Sequence, residues 1–356
     1  MTMTSKERFL CALDLGQPDK VPIHDFLFSP PLFEAVTGVR PKSYDSVQAV
    51  ECAIKLGFDA VWIPVGGYAG YTPQNIGDNK YIDEWGTTYK TNGMSWPIDG
   101  PVDYPIKNRE DYKNWTAPNP YDDERVAPLK NAIKYNENRI ALLAGILGPF
   151  TTAAMLMGYE EMSVAFYEDP ELVRDLLKEG AKFSLVCGKA LIEAGADSLI
   201  MGDDLGYNSG LFISPEMMRE YVLPVIDDMV TELQKAGGKV ILHCDGNVNK
   251  IMSDIADTGM NAFHPMERKA NMDIKYIKEN YGKKMCLFGN VNTSTTLPFG
   301  SFEDIEEEVK ECLRIAGPGG GYVIGSDHSI SQGIPVENAF HFFETIQKYR
   351  DYPIKL

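Results

Sequence analysis

The stretch KVILHCDGNVNKIMSDIADTGMNAFHPME, residues 239–267, contains one strand–helix–strand unit. Its two ends, 239–245 and 261–267, are short runs rich in apolar residues, which is typical of buried strands. Between them, residues 248–257 repeat apolar side chains at helical spacing. Two strands joined by a helix lie parallel in one sheet, with a right-handed crossover. This unit therefore predicts an α/β fold with a parallel sheet.

The same alternation continues in both directions along the chain. It predicts strands at residues 20–25, 59–65, 139–147, 198–205, 239–245, 261–267, 283–291 and 322–329. Amphipathic segments between and after them include residues 215–236, 302–316 and 336–350. Eight parallel strands with helical crossovers close into a (β/α)8 TIM barrel. We therefore predict one TIM-barrel domain over residues 1–356.

One segment interrupts the alternation. Residues 66–119, after the second strand, are rich in Gly, Pro, Tyr and Trp and show no helical period. They predict a long insertion with room for a short hairpin. Because the insertion leaves the carboxyl end of a barrel strand, it should lie over the face where barrel enzymes hold their active sites. It is either a packing cap or a lid that forms a substrate wall.

Composition excludes several classes of protein. The chain has 34 Lys or Arg and 51 Asp or Glu, a net charge of −17, which argues against a nucleic-acid surface. No apolar run reaches the length of about 18 uncharged residues that a membrane span needs. The six cysteines lack the spacing of a disulfide framework or a CxxC site, so we predict a cytoplasmic protein. A C2 homodimer is the default expectation.

Polar side chains cluster at the predicted carboxyl ends of the strands. Several of these strands should point into one mouth, so their His and acidic residues can converge. Histidine, cysteine and carboxylate together favour zinc over magnesium. The predicted zinc ligands are His243, Asp245, His328 and Cys244. For Cys244 the alternative is a small core side chain.

The remaining polar residues of this rim are predicted to act on the substrate. Those predicted to take part in catalysis are Asp203, Asp204, Asn208, His264 and Asp327. Those predicted to bind the substrate are Asp25, Tyr207, Glu267, Asn290 and Asn292. Structural alternatives exist for two of them, because His264 can be a hydrogen-bonded core histidine and Asp327 can cap a turn.

Four motifs of the chain resemble those of the uroporphyrinogen decarboxylase superfamily. They are ILHCDGN at 241–247, FGNVN at 288–292, GPF at 148–150 with MGYEEM in the following helix, and GSDHSISQGIPVENAF at 325–340. The resemblance covers nearly the whole chain. It is closer to the corrinoid-dependent methyltransferases than to the decarboxylases. The decarboxylases carry an arginine-bearing RQAGR motif after the first strand, where this chain reads HDFLFSPP.

The methyltransferases that act on coenzyme M resemble this chain only in part at the zinc site. They carry HxC after strand five and a distal cysteine after strand eight. Here the matching places read His243, Cys244, Asp245 and then Asp327, His328. This carboxylate-rich set resembles instead the O-demethylase methyltransferases, which are described as zinc proteins.

That resemblance implies a methyltransferase that demethylates a methoxylated aromatic compound and passes the methyl group to the Co(I) of a separate corrinoid protein. The chain lacks the DxHxxG signature of a protein-bound corrinoid, so the cobalt would come from a partner that docks over the barrel mouth. An apolar ring would be walled by Tyr68, Tyr71, Tyr81, Trp85 and Trp96. The alternatives are a methyltransferase with a methylamine, thiol or folate as donor or acceptor, a decarboxylase, and a catalytically silent binding barrel.

Overall fold

The computed structural model describes residues 2–64, 73–93 and 95–356. Within these ranges, the central feature is a curved parallel sheet of seven strands. In spatial order the strands are Tyr322–Val323, Cys286–Phe288, Ala262–His264, Val240–His243, Ser198–Gly202, Ala141–Leu147 and Ala60–Ile63. Each strand pairs with the next in this order, so spatial order follows chain order, as in a TIM barrel.

The first predicted strand, residues 20–25, closes the sheet without forming a regular strand. Ile23 O accepts hydrogen bonds from Asp59 N at 2.9 Å, and Ile324 N donates to Pro22 O at 2.9 Å. An isolated parallel bridge also joins Ile23 to Ile324. The prediction of a regular strand is therefore wrong here. The physical reason is that Pro22 has no N–H to give to a ladder, although the segment still occupies the place of the first barrel strand.

Helices pack around the sheet. They are Ser5–Leu13, Pro30–Thr37, Ser46–Lys55, Arg109–Asn114, Ala127–Asn136, Pro149–Met157, Tyr159–Glu168, Pro170–Ala194, Pro215–Met217, Leu223–Lys235, Met252–Asp257, Ile274–Tyr281, Thr296–Phe299, Phe302–Ala316 and Val336–Tyr349. Side-chain hydrogen bonds cap the first turn of many of these helices. Ser301 and Asp304, for example, form a capping box at the start of Phe302–Ala316. No helix in the part of the chain that the structure describes has the length and apolar character to cross a bilayer.

The insertion after Ala60–Ile63 is more ordered than the sequence predicts. It contains an antiparallel sheet of four strands, Gln74–Gly77, Lys80–Ile82, Thr88–Lys90 and Gly100–Asp103. Tyr81 stacks on Tyr89 across this sheet, with ring centroids 5.3 Å apart, which stabilises the pairing. The insertion also contains a short helix, Arg109–Asn114, which the lack of a helical period did not indicate. Six residues are too few to show a period, and the Asn108 side chain caps this helix.

Side-chain contacts fix the inserted sheet to the barrel. Glu84 forms an ion pair with Arg125 through two contacts, at 2.7 and 2.6 Å. Thr87 Oγ1 donates a hydrogen bond to Met155 O at 2.6 Å, on the helix Pro149–Met157. These contacts hold the sheet beside the carboxyl end of the strand Ala141–Leu147, which that helix follows.

Candidate functional site

A cavity of about 540 Å³ lies between the carboxyl ends of the barrel strands and the inserted sheet. This volume is in the range of small-molecule pockets. Its aromatic lining consists of Phe26, Phe28, Trp62, Tyr81, Trp85, Tyr89 and Trp96. At the strand ends it is lined by polar side chains, namely Asp204, His243, Asp245 and His328. Of the aromatic residues predicted to wall a ring, Tyr68 and Tyr71 lie outside the described residues.

Two histidines on neighbouring strands form a direct contact at this site. His243 and His264 are register partners in the parallel sheet, and their Nδ1 atoms lie 2.8 Å apart. Burial, together with the charge of His243, holds the pKa of His264 well below its ordinary value, so this ring is neutral. When His243 Nδ1–H donates to His264, the Nε2 atom of His243 keeps its lone pair on the side of Asp245.

Asp245 lies at the centre of the polar group. Its Oδ2 atom lies 2.9 Å from His328 Nε2 and 3.7 Å from His243 Nε2. Burial by itself raises the pKa of Asp245, but the charges of His243 and His328 outweigh this effect and lower the pKa to about 2. For His328 the opposite balance holds, because the Asp245 carboxylate outweighs burial and raises the pKa to about 9. Each group therefore stabilises the charged form of the other.

The donor atoms at this site fit a zinc ion. The ligand atoms of Asp204, His243 and Asp245 lie within 4.8 Å of one another, and so do those of Asp245, Glu267 and His328. The Oδ1 atom of Asp245 is buried and accepts no hydrogen bond from any residue that the structure describes. A buried carboxylate oxygen without an N–H partner is costly, and a bound cation would satisfy it. Imidazole and carboxylate donors in this number suit zinc.

Two adjacent predicted catalytic residues lie on opposite sides of the cavity wall. Asp204 lines the cavity and accepts a hydrogen bond from Asp245 N at 2.9 Å. Burial, and the charge of Asp245, raise its pKa. Asp203 lies behind it and accepts a hydrogen bond from Thr151 N at 2.6 Å, in the first turn of Pro149–Met157. Asp203 thus acts as a helix cap, and burial raises its pKa to about 7.

Cys244 lies outside both donor groups. Its Sγ atom accepts a hydrogen bond from Leu205 N at 3.3 Å, within the hydrophobic core. Burial raises the pKa of this thiol well above its ordinary value. Successive residues of an extended chain point to opposite sides, so a cysteine between His243 and Asp245, which both face the cavity, faces the core. The structure supports the alternative that Cys244 is a small core side chain.

Two buried acidic residues of the predicted rim have different surroundings. Asp327 accepts hydrogen bonds from Thr293 N at 2.8 Å and Thr293 Oγ1 at 2.7 Å, and it is not among the described residues that line the cavity. Glu267 accepts a hydrogen bond from Gly246 N at 2.7 Å and forms an ion pair with Lys269 at 2.9 Å. Glu267 belongs to the second donor group, whereas Asp327 holds the loop after Cys286–Phe288.

The four remaining polar residues predicted after strands four and seven are not brought to the cavity. Asn290 is buried, and its Nδ2 atom donates to Met266 O at 2.8 Å. Asn292 accepts two backbone hydrogen bonds of the turn that follows it. Tyr207 and Asn208 are exposed on a hairpin turn, and Tyr207 lines a separate surface groove. Asn290 and Asn292 therefore stabilise neighbouring backbone.

Sequence reasoning missed the aromatic residues that pack against the histidines. The ring of Phe26 lies 5.1 Å from that of His243 and 5.0 Å from that of His264. Phe26 also stacks on Phe28, with ring centroids 5.2 Å apart and planes 2° apart. The signal was present in the aromatic run FLF at residues 26–28, directly after the first predicted strand. These rings make the cavity apolar next to its polar groups.

Asp25, predicted to bind the substrate, joins the first and last parts of the barrel instead. Its carboxylate accepts hydrogen bonds from Ser326 N at 2.7 Å and from Ser326 Oγ at 2.9 Å. Burial outweighs these two bonds and raises the pKa of Asp25 to about 7. Asp25 is not among the described residues that line the cavity.

We expect the substitution Asp25→Asn to flatten the pH dependence of stability between about pH 4 and pH 7. Because the pKa is higher in the folded state, the folded protein retains a proton that the unfolded chain releases, and the free energy of unfolding falls as pH rises through this window. A difference of three pKa units between the folded and unfolded states changes the free energy of unfolding by roughly 4 kcal/mol across this window. Asn keeps both contacts, since its carbonyl oxygen accepts from Ser326 N and its amide group donates to Ser326 Oγ. Urea unfolding at several pH values tests this; equal slopes for both proteins would contradict it.

Comparisons with known proteins agree with this architecture. Residues 97–349 match the family model described as uroporphyrinogen decarboxylase (URO-D). A uroporphyrinogen decarboxylase from Mannheimia succiniciproducens is 26% identical over 70% of this chain and 72% of that protein. A methylated-thiol–coenzyme M methyltransferase from Methanosarcina mazei is 26% identical over 68% of this chain and 62% of that protein. A methylcobamide:CoM methyltransferase from Methanosarcina barkeri is 27% identical over 60% of this chain and 61% of that protein.

A solved structure shows the same fold. A methyltransferase from Methanosarcina mazei superposes with a TM-score of 0.77, covering 98% of this chain and 99% of that chain, at 22% identity. The predicted (β/α)8 barrel and the predicted family resemblance are both confirmed. The proteins similar to this chain include both decarboxylases and methyltransferases. Because the family model matches more than two thirds of the residues of this chain, the chain belongs to the uroporphyrinogen decarboxylase family.

Proposed function

We propose that the protein is a methyltransferase that takes a methyl group from a methoxylated aromatic compound and passes it to the Co(I) of a separate corrinoid protein. The observation that carries the proposal is a cavity that combines aromatic walls with imidazole and carboxylate groups at the strand ends. A relative named as a methylcobamide:CoM methyltransferase supports a cobamide as one partner in methyl transfer. In that relative the methylcobamide is the donor, so the transfer proposed here runs in the opposite direction. In this proposal, residues 66–119 form a substrate wall over the barrel.

Decarboxylation of a polycarboxylate is the less favoured activity. Carboxylates of such a substrate need Lys or Arg partners when they leave water. Among the described residues that line the cavity, none is Lys or Arg. The residues that the structure does not describe, Met1, 65–72 and Met94, contain neither type. A methyl ether carries no charge, and an apolar aromatic pocket suits it.

We infer that zinc is held among Asp204, His243, Asp245 and His328, with Glu267 as a further candidate. A zinc ion bound there would supply Lewis-acid chemistry, which offsets the negative charge that develops on the ether oxygen. The protein fixes the proposed ligands by hydrogen bonds: Asp204 is held by Asp245 N at 2.9 Å, and His243 by His264 at 2.8 Å. Such outer contacts orient metal ligands.

The aromatic walls position the ring and exclude water. Phe26 and Phe28 stack, and the Trp62 ring centroid lies 5.5 Å from the centroid of each. The three rings form an apolar surface beside the polar groups. In the proposed reaction the bond between the methyl carbon and the oxygen breaks, the methyl group goes to the cobalt nucleophile, and the phenolate takes up a proton. The partner would dock over the barrel mouth. The cytoplasmic location, the C2 homodimer and the one-domain organisation stay predictions.

The test is a transfer assay with a reduced corrinoid carrier protein. Zinc-loaded protein is mixed with the carrier and with 2-methoxyphenol, methylamine or dimethyl sulfide in separate reactions. We expect the Co(I) absorbance to decay only with 2-methoxyphenol, together with an equimolar release of catechol. Decay with methylamine or dimethyl sulfide alone would show that the methyl donor is an amine or a thioether. The absence of decay with 2-methoxyphenol would overturn the proposal.

A further inference from the structure

Acidic side chains outnumber basic ones among the described residues that line the cavity. Its lining includes four carboxylates, from Asp83 and Asp99 of the inserted sheet and from Asp204 and Asp245 of the barrel. None of the described residues that line the cavity is Lys or Arg. The imidazoles of His243 and His328 both face Asp245, at 3.7 and 2.9 Å. Zinc bound among them would add two positive charges, which offset Asp204 and Asp245 but leave the two carboxylates of the inserted sheet unbalanced. The cavity is therefore an unfavourable environment for an added negative charge.

The two carboxylates of the inserted sheet are held in place by hydrogen bonds. Asp83 Oδ1 accepts from Trp85 N and Thr87 N, both at 2.9 Å, in the turn between Lys80–Ile82 and Thr88–Lys90. Asp99 Oδ2 accepts from Thr91 Oγ1 at 3.0 Å. Asp83 is thus restrained by two backbone hydrogen bonds, and Asp99 by one exposed side-chain hydrogen bond. Burial raises the pKa of Asp83 to about 6, which still leaves it ionised at pH 7.5.

We propose that this cavity selects methoxyarenes that carry no carboxylate, and that Asp83 and Asp99 are the specificity-determining residues that reject anionic rings. The inference rests on the proposed function, because it names the subclass of the methyl donor. A ring carboxylate would lose its water and face carboxylates of the same sign, with no guanidinium or ammonium partner. A phenol hydroxyl, in contrast, can donate a hydrogen bond to a carboxylate.

Two rings that differ only by one carboxylate test this inference. They are 2-methoxyphenol and 4-hydroxy-3-methoxybenzoate, and isothermal titration calorimetry at pH 7.5 measures the binding of each to the zinc-loaded protein. Like charges about 6 Å apart at a partly buried site repel by enough to change affinity about 100-fold, so we expect the phenol to bind at least roughly tenfold more tightly. In the variant D83N/D99N this preference should shrink to about threefold or less.

Asp78→Asn is the matched control. Asp78 lies on an exposed turn of the same sheet, does not line the cavity and has a positive φ of 51°, which Asn tolerates. The substitution Asp78→Asn removes a negative charge from the same sheet and should leave the preference for the phenol over the benzoate unchanged. Asp99→Asn alone should reduce the preference in part, which gives a second measurement if the double variant folds poorly.

The outcomes separate this inference from the proposed function. If the benzoate binds as tightly as the phenol, or if the double variant keeps the full preference, the inference is overturned and the proposed function stands. If the phenol is preferred but yields no methyl transfer to the carrier, the proposed function is overturned while the charge selection of the cavity stands. If neither ring binds, both are overturned.

Discussion

Asp245→Asn is expected to remove the bound metal and to lower methyl transfer roughly 10²–10⁴-fold. Asp245 is shared by both groups of donor atoms, so its loss breaks either arrangement. Asn keeps the size of the side chain but replaces an anionic ligand with a neutral amide. Elemental analysis of the purified variant should find less than about a tenth of the zinc of the wild type. Single-turnover transfer from 2-methoxyphenol measures the loss of activity.

The neighbouring residue supplies the control for this experiment. Cys244→Ala removes a thiol that contacts Leu205 N in the core and belongs to neither donor group. We expect this variant to retain its zinc and most of its transfer rate, at a stability cost of about 1 kcal/mol. Stoichiometric zinc in Asp245→Asn, or loss of zinc in Cys244→Ala, would show that the ligands are assigned incorrectly.

Asp59→Ala is expected to lower the free energy of unfolding by about 3–5 kcal/mol. The Asp59 carboxylate is fully buried and contacts Arg8 Nη1 at 2.6 Å and Arg350 Nη1 at 2.5 Å. It also accepts a hydrogen bond from Ile23 N at 2.9 Å. Removing it leaves buried guanidinium charge without this partner, although Arg8 keeps a contact with Asp19. Equilibrium unfolding in urea measures the change.

An exposed ion pair provides the comparison for this variant. Asp257 contacts Lys284 at 2.5 Å, but both side chains are about half exposed or more, at 62% and 49%. Asp257→Asn should therefore change the free energy of unfolding by less than about 1 kcal/mol. Asp59 precedes the strand Ala60–Ile63, at its end away from the cavity, so the folded fraction of Asp59→Ala should bind zinc as the wild type does. Equal stability of the two variants would contradict the role of Asp59 in closing the barrel.

The ion pairs of Asp59 join parts of the chain in a way that the sequence does not predict. They join the helix Ser5–Leu13, the start of the strand Ala60–Ile63 and Arg350 near the end of the chain. Contacts between residues this far apart leave no periodic pattern in the sequence. The inserted sheet was under-predicted for a related reason, because its short strands acquire their pairing only when they meet.

The residue types of the candidate site were predictable from the sequence, but which side chains face the cavity was not. Polar residues at strand ends identified Asp204, His243, Asp245 and His328, which the structure brings together. The same rule also selected Asp203, Cys244 and Asp327, which face the core or a neighbouring loop. In each case the two kinds of residue are adjacent in the sequence. A shift of one residue reverses the direction of a side chain, and no local pattern specifies the shift in an irregular loop.

Local patterns in the sequence were enough to predict the parallel barrel and its family, because apolar periodicity and short motifs depend on neighbouring residues. Only the tertiary structure determines which of these groups meet. It brings Asp245 to His328 and His243 to His264. It also places the carboxylates of Asp83 and Asp99 in the same cavity. These groups are far apart in sequence. Their distances depend on the packing of the whole barrel and its insertion, which no single segment encodes.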